Sequence, residues 1–204
     1  KVMAKHTDEH MVKPKLLFIS NPSEFGTTYS KEERIKLRET ADKYNLYLYM
    51  DGARLGSALT SSMNDLTMED INKLCDLFYI GGTKVGAMFG EAVVFSGMKA
   101  PKYFFTNVKR HGALLAKGRM LGIQFDTLFK DELYFKISKH AINMAAGIRK
   151  IFAKHNIPLA YDSPTNQQFV ILSPTLYQAL SKLVAFEIWE KKNEQEIVCR
   201  FVTS

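Results

Sequence analysis

Two stretches decide the fold: Leu46-Tyr47-Leu48-Tyr49-Met50-Asp51-Gly52-Ala53-Arg54 and Leu77-Phe78-Tyr79-Ile80-Gly81-Gly82-Thr83-Lys84. Each opens on a short run of aromatic and aliphatic residues, the composition of a buried strand, and closes on glycine beside a charged side chain. Between them Thr67 and Asp70 have capping-box spacing, so a short helix is expected over Met68 to Cys75. Upstream, Lys15-Leu16-Leu17-Phe18-Ile19-Ser20 reads as another strand, followed by the turn-rich loop Asn21 to Thr28. Ser30 with Glu33 then starts a helix that runs to about Tyr44, with Ile35, Leu37, Ala41 and Tyr44 inward. Asn45 is a plausible stop for it.

Strand, helix, strand in this rhythm predicts right-handed crossovers and a mostly parallel sheet. The next strand, Glu91 to Phe95, follows after only Gly81 to Gly90, too short for a helical crossover, so that pair is expected to be antiparallel and the sheet mixed. After Pro101 the pattern changes to helices over Ala113 to Phe125 and Asp131 to His155, broken at Ile157-Pro158. Strands over Gln167–Leu172, Ala185–Trp189 and Ile197–Val202, with a short helix over Leu176 to Leu183, complete a smaller α+β unit. The expected organisation is an α/β part over 1–110 and connecting helices with a C-terminal α+β subdomain over 111–204.

The composition supports a folded chain with a sizeable core: 204 residues, 46% hydrophobic and 24% charged. The longest apolar runs, such as Leu16–Ile19 and Ala92–Phe95, fall far short of the roughly 20 residues of a membrane span. No secretory leader is visible, and Cys75 and Cys199 make neither a disulfide framework nor a metal site, which fits free thiols in a reducing, cytoplasmic setting. The net charge of +7 comes from scattered lysines and arginines without a nucleic-acid-binding signature, so an anionic small molecule is a better partner than DNA. The first residue is Lys1 and the last run, Val198 to Ser204, reads as a strand in progress, which suggests a piece of a longer polypeptide.

The chemistry is expected at the carboxyl ends of the strands, where open α/β sheets bind ligands. Asp51 ends one strand and Lys84 follows the next, with glycines beside both that let a ligand approach the backbone. A carboxylate and a lysine held apart by a flat ligand suit pyridoxal phosphate, whose aldehyde takes a lysine amine and whose ring nitrogen pairs with an acid.

In that context Leu48 to Ala58, with Asp51-Gly52-Ala53-Arg54 at its centre, resembles the corresponding strand of threonine aldolases and β-eliminating lyases, fold type I pyridoxal-phosphate enzymes. Tyr79 to Ala87 is similar to their lysine motif. Ile19 to Thr27 resembles their preceding strand and loop, Leu114 to Gly122 a segment that approaches a neighbouring subunit's cofactor, and Arg200 to Thr203 their arginine-bearing last strand. The resemblance implies that Lys84 forms the Schiff base, Asp51 pairs with the ring nitrogen and Arg54 lies against the cofactor or the substrate carboxylate. It implies that Arg200 binds that carboxylate, and that Arg119, with Lys117 beside it, lies near a neighbour's phosphate or substrate. It implies the part of a mixed, mostly parallel fold type I sheet, a homodimer or homotetramer, and Cα–Cβ cleavage of a β-hydroxy-α-amino acid to glycine and an aldehyde. β-Elimination and transamination on the same scaffold are the alternatives, as is an inactive fragment. The family's glycine-rich phosphate loop and ring-stacking residue have no counterpart here, and neither His6 nor His10 carries a motif that marks it as the stacker. His111 reads as a solvated loop residue, Trp189 and Cys75 as packing, and Ser23 and Ser30 lack the partners of a nucleophile.

Overall fold

The computed structural model describes residues 1–97 and 99–204. Its first sheet carries four strands in the order β1 (Leu16–Ser20), β2 (Tyr47–Asp51), β3 (Leu77–Gly81) and β4 (Glu91–Phe95). β1–β2 and β2–β3 are parallel, and β3–β4 antiparallel, as the short connection requires. A second sheet has the order β5 (Leu159–Tyr161), β6 (Gln167–Leu172), β8 (Ile197–Val202), β7 (Glu187–Lys191), and every pair in it is antiparallel.

After α1 (Val2–Lys5), a single turn without a side-chain cap, two helices of the first part form where their caps are written. α2 (Lys31–Lys43) starts at Ser30, whose Oγ accepts from Glu33 N at 3.2 Å while Glu33 Oε2 accepts from Ser30 N at 2.9 Å. α4 (Met68–Leu74) has the same reciprocal box between Thr67 and Asp70. The buried face of α2 is not the expected one: Ile35 and Tyr44 are exposed, whereas Arg34 is wholly buried together with Ala41. The inner face follows Arg34, Leu37, Arg38 and Ala41 at helical spacing, so an arginine occupies a position that hydrophobicity alone assigns to its neighbour. Arg34 Nη2 lies 2.9 Å from Cys75 Sγ, and its Nε and Nη1 find no partner among the described residues.

The first core gathers Ile19, Leu48, Met50, Phe78 and Ile80 from alternate strand positions with Leu55, Ile71, Leu128 and Tyr134. Alternation leaves the opposite sheet face open: Leu16, Phe18, Tyr47 and Val93 are all more than half exposed. Among the described residues β1 and β4 have no outer neighbours, the uncovered edges that invite strand pairing.

The middle of the chain departs from expectation. Helix occupies Phe104–Arg110 (α5) and Arg119–Phe129 (α6), and Ala113 to Gly118 is not helical. Gly112 at φ +71° ends α5, and Gly118 caps the start of α6, so the two glycines frame a break that the apolar spacing of Leu114, Leu115 and Leu121 disguises. The long α7 (Leu133–Lys154) packs on α3 (Leu55–Thr60), a helix the sequence reading missed. Only Gly56 allows that approach: a Cβ there would lie 2.1 Å from Ser138 Oγ, and Gly56 N donates to the Tyr134 hydroxyl at 3.0 Å. α8 spans Pro174–Leu180, earlier than expected, because Ser173 caps it and proline suits its first position. β7 is shifted two residues beyond the expected strand, with Phe186 stacked on Phe201 at 4.5 Å instead of pairing. Among the described residues no helix is long and apolar enough to cross a membrane.

Candidate active site

Two glycines bring the strand ends together. A Cβ on Gly52 would lie 2.0 Å from the Tyr79 carbonyl oxygen, and one on Gly81 would lie 2.2 Å from the Ala53 carbonyl oxygen. In their absence of side chains the backbones close, and Gly81 N donates to Gly52 O at 2.9 Å. Asp51 at the end of β2 and the loop after β3 therefore share one rim of the sheet.

Asp51 Oδ1 accepts from Ala53 N at 2.9 Å and from the Tyr79 hydroxyl at 2.5 Å. Its Oδ2 takes no hydrogen bond among the described residues. Burial pushes the Tyr79 phenol well above its ordinary range, and the bond to Asp51 and that carboxylate's charge push the same way. Lys84 is exposed on the turn that follows Gly82, and its amine makes neither a hydrogen bond nor an ion pair among the described residues. The turn is anchored by Gly82: its N donates to Glu91 Oε2 at 3.1 Å and its carbonyl accepts from Val85 N and Ala87 N, each at 3.0 Å. Glu91 feels both poles of the site. Burial raises its pKa, the Gly82 N–H and Lys84 lower it, and Asp51 raises it.

Arg54, at the N-terminal end of α3, is half-buried. Burial lowers its pKa, and the nearby Arg200 lowers it further, against Glu24, Asp51 and Glu187, which raise it. Arg200 reaches the same place from β8. Its Nη1 donates to Gln167 Oε1 at 3.2 Å, its Nη2 pairs with Glu187, and its guanidinium lies 5.1 Å from the centre of the Trp189 ring. The Nε atoms of both arginines are buried without a partner among the described residues, as is Gln167 Nε2. Cations held this close with unused donors are an arrangement for a planar anion such as a carboxylate.

The loop after β1 ties this corner to the second sheet: Phe25 lies 4.7 Å from Tyr161 and 5.7 Å from Trp189, ring centre to ring centre. Trp189 is thus packing, but packing that also supports Arg200. Ser57 donates to Asn166 Oδ1 at 3.1 Å, and Asn166 Nδ2 donates to the Thr203 carbonyl at 2.7 Å, which ties α3 to the residue that follows β8.

The structure thus brings Asp51 and Lys84 to one rim and Arg54 and Arg200 to one corner. Arg119, on the first turn of α6, and Lys117 are exposed and make no hydrogen bond or ion pair among the described residues. His6 Nδ1 lies 2.8 Å from the Val12 carbonyl oxygen, His10 is beside Glu9, and His111 is exposed at the end of α5. Among the described residues no group of three or more His, Cys, Asp or Glu is placed to hold a metal ion. Tyr79, Glu91, Gln167 and Glu187 were not singled out from sequence. For Tyr79 a signal existed, since parallel pairing sets it opposite Asp51 on the same face.

The family model for β-eliminating lyases matches residues 1–173. The chain belongs to the β-eliminating lyase family. It is 28% identical over 184 residues to a low specificity L-threonine aldolase of Pseudomonas aeruginosa, covering 88% of this chain and 52% of that protein. The solved structure of a Leishmania major threonine aldolase superposes with a TM-score of 0.96 at 42% identity, over 99% of this chain and 59% of that one. An aminotransferase of Staphylococcus aureus shares the fold alone, with a TM-score of 0.63 at 12% identity over 98% of this chain and 56% of that one. The fold is that of the fold type I pyridoxal-phosphate enzymes. The chain spans about half the length of the curated relatives it matches.

Proposed function

We propose that this chain supplies the lysine, the acid and the carboxylate-binding arginines of a pyridoxal-phosphate-dependent lyase. Its substrate is a β-hydroxy-α-amino acid of the threonine or allo-threonine type, cleaved between Cα and Cβ to glycine and an aldehyde. The observation that carries the reading is the shared rim: Asp51 with an unengaged Oδ2, and Lys84 with an unpaired amine among the described residues.

Those groups fit the cofactor's chemistry. When bound, pyridoxal phosphate supplies an aldehyde that an amine can capture and a ring that accepts electrons from a breaking bond. Asp51 would hold the ring nitrogen and keep its proton in place. Lys84 would hold the cofactor through its amine and could move a proton at the substrate's α-carbon. Arg54 and Arg200 hold the α-carboxylate and so fix which substituent faces the ring. Arg119 serves a neighbouring subunit's phosphate or substrate, in a cytoplasmic homodimer or homotetramer. Residues 1–110 form part of the cofactor-binding domain and 111–204 the connecting helices and C-terminal subdomain.

The test is product release. Incubation with pyridoxal phosphate and threonine or allo-threonine is expected to yield glycine and acetaldehyde in equal amounts, and Lys84→Ala is expected to abolish both. The family model's own description favours β-elimination as the second reading. Pyruvate from a serine derivative, with no glycine from threonine, would replace the first reading by that one.

A further inference from the structure

Asp51 is not a free carboxylate at a strand end. The parallel pairing of Tyr49 with Leu77 and Met50 with Phe78, extended by one residue in line with the Gly81 N–Gly52 O bond, sets Asp51 opposite Tyr79, so both side chains leave the same face of the sheet. The glycine contact described above pulls these two strand ends together, which lets a phenol hydroxyl reach the carboxylate at 2.5 Å. Tyr79 is itself fixed. Its ring centre is 6.3 Å from that of Tyr49, which in turn stacks on Phe18 at 5.4 Å. With the Ala53 N–H on the same oxygen, Oδ1 is held from two directions, and the carboxylate plane has little freedom to rotate.

We infer that Tyr79 is a positioning residue for the cofactor's ring nitrogen, acting through Asp51: its hydroxyl engages Oδ1 and presents Oδ2 to the ligand. This rests on the proposed function, since it takes Asp51 as the partner of that nitrogen. A ring N–H that meets a carboxylate already turned to receive it forgoes the entropy of ordering that side chain on binding. The unused oxygen, the doubly held one and the strand register agree in pointing at the same direction of approach. Tyr79 does not touch the reacting atoms, so its contribution belongs in cofactor affinity and in the ring's protonation.

The experiment is a double-mutant cycle on the full chain, with Tyr79→Phe, Asp51→Asn and the pair of substitutions together. Pyridoxal 5′-phosphate binding is followed by equilibrium dialysis, and the pH dependence of the bound absorbance band is recorded in parallel. Thermal unfolding confirms that each variant folds, and phenylalanine keeps the packing against Tyr49. Tyr79→Phe is expected to weaken binding about tenfold and to shift the pH dependence of the band, the effect of losing a hydrogen bond to a charged group. In the Asp51→Asn background the same substitution is expected to change little. An equal loss in both backgrounds, or none in either, overturns the inference while leaving Asp51 as the cofactor's partner. Wild-type and Asp51→Asn proteins that bind pyridoxal 5′-phosphate identically, or not at all, overturn the proposed function and this inference with it.

Discussion

Gly52→Ala is the substitution whose consequence the structure specifies most closely. The new Cβ would stand 2.0 Å from the Tyr79 carbonyl oxygen, where ordinary contact begins at 3.4 Å. The two backbones must part by about 1.4 Å, and the obstacle is main chain rather than a side chain that can swing away. That movement ruptures the 2.9 Å bond from Gly81 N to Gly52 O and carries Asp51 away from the Tyr79 hydroxyl. Overpacking costs about 1–3 kcal/mol and a lost hydrogen bond about 1 kcal/mol, so a destabilisation of about 3 kcal/mol is expected. With a urea slope of about 2 kcal/mol/M this lowers the unfolding midpoint by about 1.5 M. Gly147→Ala in α7 is the matched control. Among the described residues nothing lies within 4 Å of its added Cβ, and a helix-interior glycine replaced by alanine gains about 0.5–1 kcal/mol. Urea unfolding of both variants, with pyridoxal-phosphate labelling of Lys84 as the second readout, tests the argument. A Gly52→Ala protein as stable as wild type and labelled as fully would refute the claim that these glycines assemble the rim.

Arg34→Met is expected to stabilise the chain by about 1 kcal/mol or more in the same unfolding assay, because a wholly buried guanidinium whose one partner among the described residues is a thiol gives way to an apolar side chain of similar reach. Asp70 should shape the acid limb of stability. The Lys31 ammonium, 2.8 Å away, and the Thr67 cap lower its pKa from 3.8 to about 2. A depressed folded-state pKa stabilises the native state at pH above about 4, and the contribution is lost as pH falls towards 2. Unfolding followed from pH 5 to pH 2 is therefore expected to show a shallower acid decline in Asp70→Asn than in wild type. Glu187→Gln removes the carboxylate paired with Arg200, so calorimetric titration with an α-amino acid is expected to show tighter binding, with little change in unfolding because Glu187 is largely exposed.

The first sheet was legible because its signals are local. Alternation in β2 and β3, two complete capping boxes and a connection too short for a crossover each follow from a few adjacent residues. That Asp51 and Lys84 come to one rim was legible for the same reason, since both stand at strand ends beside glycines. What could not be read depends on packing between distant segments. Arg34 is inward because α2 packs on β2 and α4, which choose its inner face against its own hydrophobicity. The break at Ala113 to Gly118 follows the positive φ of Gly112, which apolar spacing conceals. Gln167 and Glu187 reach Arg200 only because β6, β8 and β7 are neighbours in the second sheet, a pairing order that sequence alone leaves open. α3 escaped notice because it is six residues long and its packing depends on Gly56, which carries no hydrophobic signal.

The proposed function stands or falls on Lys84 as the residue that holds pyridoxal phosphate. It is tested most directly by adding the cofactor, reducing with borohydride, and locating the adduct by intact mass and peptide mapping. One cofactor per chain is expected, on Lys84, with labelling strongly reduced in Asp51→Asn. Adducts scattered over the exposed lysines, or an equal yield in Lys84→Ala, would contradict it.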